Sequence, residues 1–298
     1  MMNSFKYIAL ITVVCIFTLS MIIKSENKKD SLESPKGPIW AGKCSKDKFG
    51  FYANLNYETC SIKFRYIPSG NFIMTNLNEK GVIRKSQDGK EFTPKVTISK
   101  GFWISESEIT QKTYKLITGE SPSTFKGELK PVEGVNIKDC MSFLKKINVL
   151  LKDQGFNLPT EAQWELAARG PKNKYKDLPT KEVAWFRSMD DLKRRFRNRI
   201  KESTKVVKGK IPNNFGLYDM LGNVGEWCID NHQELKNKEL KDPLVKNSSG
   251  KNVIKGGRFN GSGNYCKPGY RTYCSANWGG RYVGFRIIWQ KKNIVTEK

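Results

Sequence analysis

The stretch 210–227, KIPNNFGLYDMLGNVGEW, fits neither a helix nor a strand period, and it constrains this chain more than any other segment. Pro212, Asn213, Asn214, Gly216, Gly222, Asn223 and Gly225 are set among apolar and aromatic residues. Gly and Asn at that density inside an apolar run mean special backbone angles at fixed points. The stretch is therefore expected to be an ordered, buried loop. Buried loop backbone has to find hydrogen-bond or ion partners. Asp219 and Glu226, with the carbonyls between them, would offer oxygen ligands to a hard cation such as calcium. The alternative is that Glu226 is a buried acid satisfied by backbone amides.

The chain has 298 residues, enough for one large domain or two small ones. Charge is its outlier: 53 Lys+Arg against 29 Asp+Glu, a net +24. Such a balance favours acidic partners such as nucleic acid, anionic lipid or acidic polysaccharide. Basic residues are scattered throughout, so solubility alone also accounts for it. The densest basic run holds Lys193, Arg194, Arg195, Arg197, Arg199 and Lys201, and reads as a phosphate- or sulfate-contacting surface or as a solvated face.

Residues 7–23 carry no charge and are bracketed by Lys6 and Lys24. As a helix this run reaches about 26 Å, close to the roughly 30 Å of a bilayer core. It reads as a signal peptide or an uncleaved anchor, with the rest exported and tethered, or secreted after cleavage. Seven cysteines fit export; without Cys15, the six at 44, 60, 140, 228, 266 and 274 could pair in fifteen ways. Cys44 with Cys60 is the expected local pair. Cys266 with Cys274 is a second candidate, and each cysteine could equally be a free, buried hydrophobe. The organisation expected is 1–24 leader or anchor, 25–62 tether and N-terminal extension, 63–292 main domain, and 293–298 tail.

Within the domain, FRYIPSGNFIM (64–74) alternates about a Pro-Ser-Gly turn and predicts a strand pair. Residues 95–104 continue as strand, and Thr110 is a plausible N-cap for a short helix through Leu116. Cys140, Phe143, Leu144, Ile147 and Leu151 form one apolar stripe on a helix over about 137–151. In FNLPTEAQWELAARG (156–170), Thr160 and Gln163 form a capping box, Gly170-Pro171 stops the helix, and Glu161 is a candidate ion partner for Arg169. In the C-terminal block, Ile254, Phe259 and 283–288 have strand character, while Arg271 and Arg286 suit buried ion pairs.

Several of these blocks carry a family resemblance. FGLYDMLGNVGEWC resembles the G-L-Y-D-M-x-G-N-V-W-E-W-C signature of the formylglycine-generating enzyme family, also called the sulfatase-modifying-factor family. IPSGNFIM, PSTFKG with PVEGV, LPTEAQWELAAR, Ala184-Trp185-Phe186 and the Gly256-Gly257 block resemble its other motifs in the same order, over about 65–289. The resemblance implies an α+β, loop-rich, C-type lectin-like fold. It implies a calcium site on Asp219, Gly222, Val224 and Glu226, with Gly225 standing where the family usually has Trp. The family's other calcium site finds no match here.

Formylglycine-generating enzymes oxidise a peptide cysteine with oxygen and copper, and soft thiolates suit Cu(I). Their cysteine pair falls on Gly261 and Cys266, so half of the copper grip is missing. The expectation is a member that binds an unknown protein, peptide or other ligand without oxidase activity, using Tyr265, Tyr270, Tyr273, Trp278 and Tyr282. One alternative is an oxidase in which Cys266 is catalytic and copper is required. A second is a basic surface module for acidic polymers, with nucleic acid not expected. The single histidine, His232, excludes a three-histidine iron centre.

Overall fold

Ser45–Asp47 (β1), Gly50–Tyr57 (β2) and Cys60–Ile67 (β3) form an antiparallel meander in the computed structural model. The structure describes residues 35, 37–78, 80–85, 89–171, 178–188, 193 and 202–291. Of the two compact units, Met1–Lys36 and Gly37–Lys298, the fold below is that of the second. The expected leader, Cys15, the tail 293–298 and Arg194, Arg195, Arg197, Arg199 and Lys201 lie outside the described residues. Among the described residues no helix is long and apolar enough to cross a membrane.

Gly70–Ile73 (β4), Lys95–Ile98 (β5) and Phe102–Ser105 (β6) lead to the helices Gln111–Thr118 (α1) and Ile137–Leu150 (α2). Phe156–Asn157 (β7) precedes the helices Glu161–Arg169 (α3) and Thr180–Val183 (α4). Gly225–Asn231 (β8), Leu240–Lys241 (β9), Lys251–Lys255 (β10), Arg271–Ser275 (β11), Val283–Gly284 (β12) and Ile288–Trp289 (β13) complete the chain. They make three sheets, ordered β1-β2-β3-β6-β13-β7, β11-β10-β8-β12 and β4-β5-β9.

The middle of the largest sheet is buried on both faces. Side chains alternate along a strand, so Trp103 of β6 enters one core while Phe102 and Ile104 enter the other. Phe64 and Ile67 divide in the same way, as do Trp289 and Ile288. Helices α1 and α2 serve the first core, where Tyr114 stacks on Phe143 at 5.7 Å and both meet Phe285 edge-on. The stripe Cys140, Phe143, Leu144, Ile147 is buried as its spacing predicts. Helix α3 serves the second core through Trp164, Ala167 and Ala168, and its predicted Thr160–Gln163 capping box is present. Such a cap contributes about 1 kcal/mol.

Two local expectations need correction. The two strands of FRYIPSGNFIM form but do not pair: β3 already has β2 and β6 on its edges, so the chain leaves at Pro68 and β4 joins β5 in another sheet. Within the stretch 25–62, expected to be tether and N-terminal extension, the chain from residue 45 supplies β1, β2 and the start of β3. Phe259 lies in a turn past β10 rather than in a strand.

The loop 210–227 is ordered and buried, and its polar groups account for its course. Asn213 donates to the carbonyls of Ala167 and Ala168 at 2.7 and 3.1 Å and accepts from the amides of Phe215 and Leu217. One amide side chain thus ties the loop to the last turn of α3. Asp219 and Asn223 adopt positive φ, 52° and 54°. At Gly222, φ is 80° and a Cβ would lie 2.1 Å from the Trp185 carbonyl oxygen, so only glycine fits there.

Candidate binding pocket and acid cluster

The loop delivers β8, and β8 with β10 and β11 builds one wall of a cavity of about 240 Å³. Ile254 of β10 lies opposite Thr272 of β11 and Trp227 of β8. Beyond β10 the chain turns at Gly257 (φ 78°), where a Cβ would sit 2.8 Å from the Tyr265 carbonyl oxygen, so the backbone doubles back tightly. That turn brings Tyr265 to the cavity, stacked on Tyr270 with centroids 4.8 Å apart. Trp278 packs on Tyr282 at 5.2 Å, lying flat over Gly280. Tyr273 sits on the edge strand β11 and is 45% exposed. All five aromatic residues singled out from the sequence therefore line this cavity, and none is fully buried as core. Gly225, Arg258 and Cys274 also line it; at Gly225 a Cβ would lie 2.8 Å from Ile254 Cγ2 on the wall.

Position 261 is beside this cavity but offers no sulfur. Its missing Cβ would meet Tyr265 Cδ2 at 3.0 Å and Arg258 Cγ at 3.2 Å. Cys266 is buried at 3% exposure against Gly257, and burial pushes its thiol up to about 12. A thiolate is the copper ligand, so these residues do not fit a two-sulfur copper centre. All six described cysteines are free. Cys44 precedes β1 near Ala53, whereas Cys60 is opposite Tyr57 on the other side of β2. Four residues along a strand and two strand spacings separate them, on the order of 15 Å, well beyond the roughly 7 Å a disulfide spans. Cys266 and Cys274 lie toward opposite ends of β10, since Cys274 is opposite Asn252 and Cys266 packs beyond Lys255. Both expected disulfides are thereby corrected.

Glu226, the residue after Gly225, is buried in an acid cluster. Its Oε2 accepts from Arg286 Nε and Trp164 Nε1, each at 2.6 Å, and its Oε1 from Arg286 Nη2 at 2.7 Å. The partners are side chains, not the backbone amides that were the alternative reading. Arg286 also donates to the carbonyls of Ser105 and Tyr218 at 3.0 and 2.9 Å. Burial alone would lower the Arg286 pKa, but Glu226 outweighs it and holds the pKa above its usual value. Glu108 accepts from the Val224 amide and the Asn223 side chain. Burial, then Asp219 and Glu226, raise the Glu108 carboxyl well above the usual range. Asp219 accepts from the Lys208 amide through Oδ2, while its buried Oδ1 has no partner. Burial, reinforced by Glu226, raises Asp219 to about 6.

Three carboxylates thus lie near one guanidinium that bonds only to Glu226, Lys208 also acts on Asp219, and one oxygen is orphaned. Calcium on Asp219, Glu226 and the carbonyls of Gly222 and Val224 is what the family resemblance implies; Asp219 Oδ1 is the open oxygen here, whereas both Glu226 oxygens already accept from Arg286 or Trp164. Among the described residues no three His, Cys, Asp or Glu side chains converge as a cage, so carbonyls would be needed. Glu108 was missed from sequence as a cluster member; in the polar strand-to-helix junction 105–110, SESEIT, nothing sets it apart from its neighbour Glu106. Arg258 was also missed. The other ion pairs are structural: Arg271 holds Glu161 at 2.8 Å, and buried Lys255 holds Glu165 at 2.9 Å. Arg169 pairs with Glu165, not with Glu161 as expected.

Comparison with known proteins matches this architecture. The chaperone protein LppX of Paenibacillus barcinonensis is 27% identical over 270 residues, covering 75% of this chain and 92% of that one. The formylglycine-generating enzyme of Thermomonospora curvata is 30% identical over 156 residues; the match covers 44% of this chain and about half, 48%, of the enzyme. Variable protein 1 of Treponema denticola shares the fold, with a TM-score of 0.66 and 24% identity across 80% of this chain and 98% of that one. Residues 62–291 match the sulfatase-modifying factor enzyme 1-like domain, and with the loop, the α3 block and the Gly-Gly turn all in their places, the chain belongs to that formylglycine-generating-enzyme family.

Proposed function

We propose that this chain is a binding member of the family, which takes a ligand or partner in the aromatic pocket and does not oxidise cysteine. The observation that carries the reading is the state of the copper position: Gly261 has no sulfur, and Cys266 is sealed from water with its thiol pushed up to about 12. A pocket with five aromatic walls supplies contact area at low entropic cost. The uncharged run 7–23 supports an exported chain, tethered or released. Calcium, held by Asp219 and Glu226 with the Gly222 and Val224 carbonyls, would neutralise the acid cluster and stiffen the loop that leads into the pocket wall.

The test is an aerobic incubation of the full chain with Cu(I) and a cysteine-containing peptide, read by mass spectrometry and metal analysis. The expected result is intact peptide thiol and no stoichiometric copper. Aldehyde product that disappears in Cys266→Ala would establish the oxidase instead.

A further inference from the structure

Resting on the binding reading above, we infer that the pocket selects an anionic ligand with an aromatic or apolar body, its acid group received by Arg258. Among the described residues, Arg258 carries the only formal charge on the cavity lining, and no Asp or Glu lines it. The guanidinium lies over the Tyr282 ring, 4.1 Å from its centroid. Stacking fixes its plane while leaving its in-plane donors free to bond. Its Nε is cut off from water and has no hydrogen-bond acceptor, whereas the Nη groups of this half-buried side chain are not sealed, and among the described residues no carboxylate pairs with it. The Nη groups are therefore the donors a ligand can reach, and a half-buried charge without a partner gains free energy when an acceptor arrives. A ligand carboxylate or phosphate oxygen would be that acceptor.

The rim has the same sign. Lys251 Nζ lies 5.2 Å from the centroid of the exposed Tyr273 ring. Aromatic cages that take ammonium ions offer rings with no competing cation; here two of the five rings, Tyr273 and Tyr282, already face cations. The charge arrangement therefore disfavours amines. The volume, about 240 Å³, is below the roughly 300 Å³ where drug-sized pockets begin. It holds one ring and a short acidic arm, such as one acidic or C-terminal aromatic residue of a peptide, rather than a length of polymer.

Three probes of one shape separate the possibilities: 3-phenylpropionate, its uncharged amide, and 3-phenylpropylamine. Binding to the full chain is read by isothermal titration and by ligand-observed saturation-transfer NMR. The acid is expected to bind at least tenfold more tightly than the amide, because a hydrogen bond to a charged group is worth about that factor. The amine is expected to bind least. In Arg258→Met the acid should fall to the level of the amide, while the amide itself is unchanged. Arg258→Gln, checked by its melting curve, serves as a second variant should the first not fold. Equal binding of acid, amide and amine refutes the charge selection while leaving a ligand-binding pocket standing. Binding of none of the three, or an acid preference that survives both substitutions, also overturns the inference. Loss of the binding reading itself would appear separately, as aldehyde in the copper assay.

Discussion

Replacing Arg286 with Met would leave Glu108, Asp219 and Glu226 buried together with no guanidinium between them. Glu226 would keep only the Trp164 indole, and the carbonyls of Ser105 and Tyr218 would each lose a donor. Removing one partner of a buried ion pair costs about 3–5 kcal/mol, and each orphaned carbonyl adds roughly 1 kcal/mol or more. A loss of about 5 kcal/mol approaches the whole stability of many domains, which is about 5–15 kcal/mol. For a domain of this size each kcal/mol moves Tm by about 2–4 °C, so Arg286→Met should lower Tm by roughly 10–20 °C. Glu226→Gln should be milder, because Glu108 and Asp219 also act on Arg286 and remain as counter-charges. The two variants separate further with pH. Without the guanidinium, Glu108 and Asp219, already raised by burial, lose its lowering influence and rise further, so the folded state binds more protons than the unfolded state. Its stability then falls as pH rises through that window and returns as pH is lowered. Lowering pH from about 7.5 to about 5.5 should therefore rescue Arg286→Met relative to the parent. The assay is urea unfolding of the full chain in chelator at both pH values. Glu226→Gln proving as damaging as Arg286→Met, or no acid rescue, would refute the claim that Arg286 is the main counter-charge of the cluster.

Two further outcomes concern Asp219 and Asp230. Calcium should raise the Tm of the parent chain, and Asp219→Asn should abolish that rise while keeping the fold, because Asn tolerates the positive φ at this position; a calcium-induced rise unchanged in the variant would remove Asp219 from the site. Asp230, buried on β8, is raised to about 6 chiefly by burial, so its carboxyl carbon should titrate near that pH by NMR. The folded state then holds its proton more tightly than the unfolded chain does, and this group's contribution to stability is lost as pH rises from about 4 to about 6. The rise from 3.8 to about 6 corresponds to about 3 kcal/mol against the ionised form; a midpoint below 4 would contradict it.

What could be read from the sequence was what local chemistry fixes. Thr160 and Gln163 cap α3 because hydroxyl and amide sit three residues apart, and the stripe on α2 follows from helix geometry alone. The loop 210–227 was legible as buried because its Gly and Asn residues have no other use. Pairings between distant segments were not legible. The strand pair at Pro68 was misassigned because sequence adjacency gives no hint that β2 and β6 occupy both edges of β3. Glu161 was matched to Arg169 by proximity along α3, whereas Arg271, 110 residues away, meets it. Cysteine count suggested disulfides, but only register could show that Cys44 and Cys60 lie on opposite sides of β2.

The pocket shows why the two kinds of information must be joined. The five aromatic residues were legible because they crowd one C-terminal stretch, yet nothing in that crowding distinguished a core from a cavity. The turn at Gly257 decides it, by folding Tyr265 over the sheet instead of beneath it. Position 225 points the same way: a glycine on β8 leaves Ile254 and the cavity wall uncovered where a side chain would press on them. Glycine at 225 and at 261 therefore have a common consequence. One keeps a strand face bare and the other leaves the ring of Tyr265 and the stem of Arg258 without a sulfur between them. Together they leave a surface of rings around one cation where the family's cysteine pair falls, and the binding proposal rests on that surface.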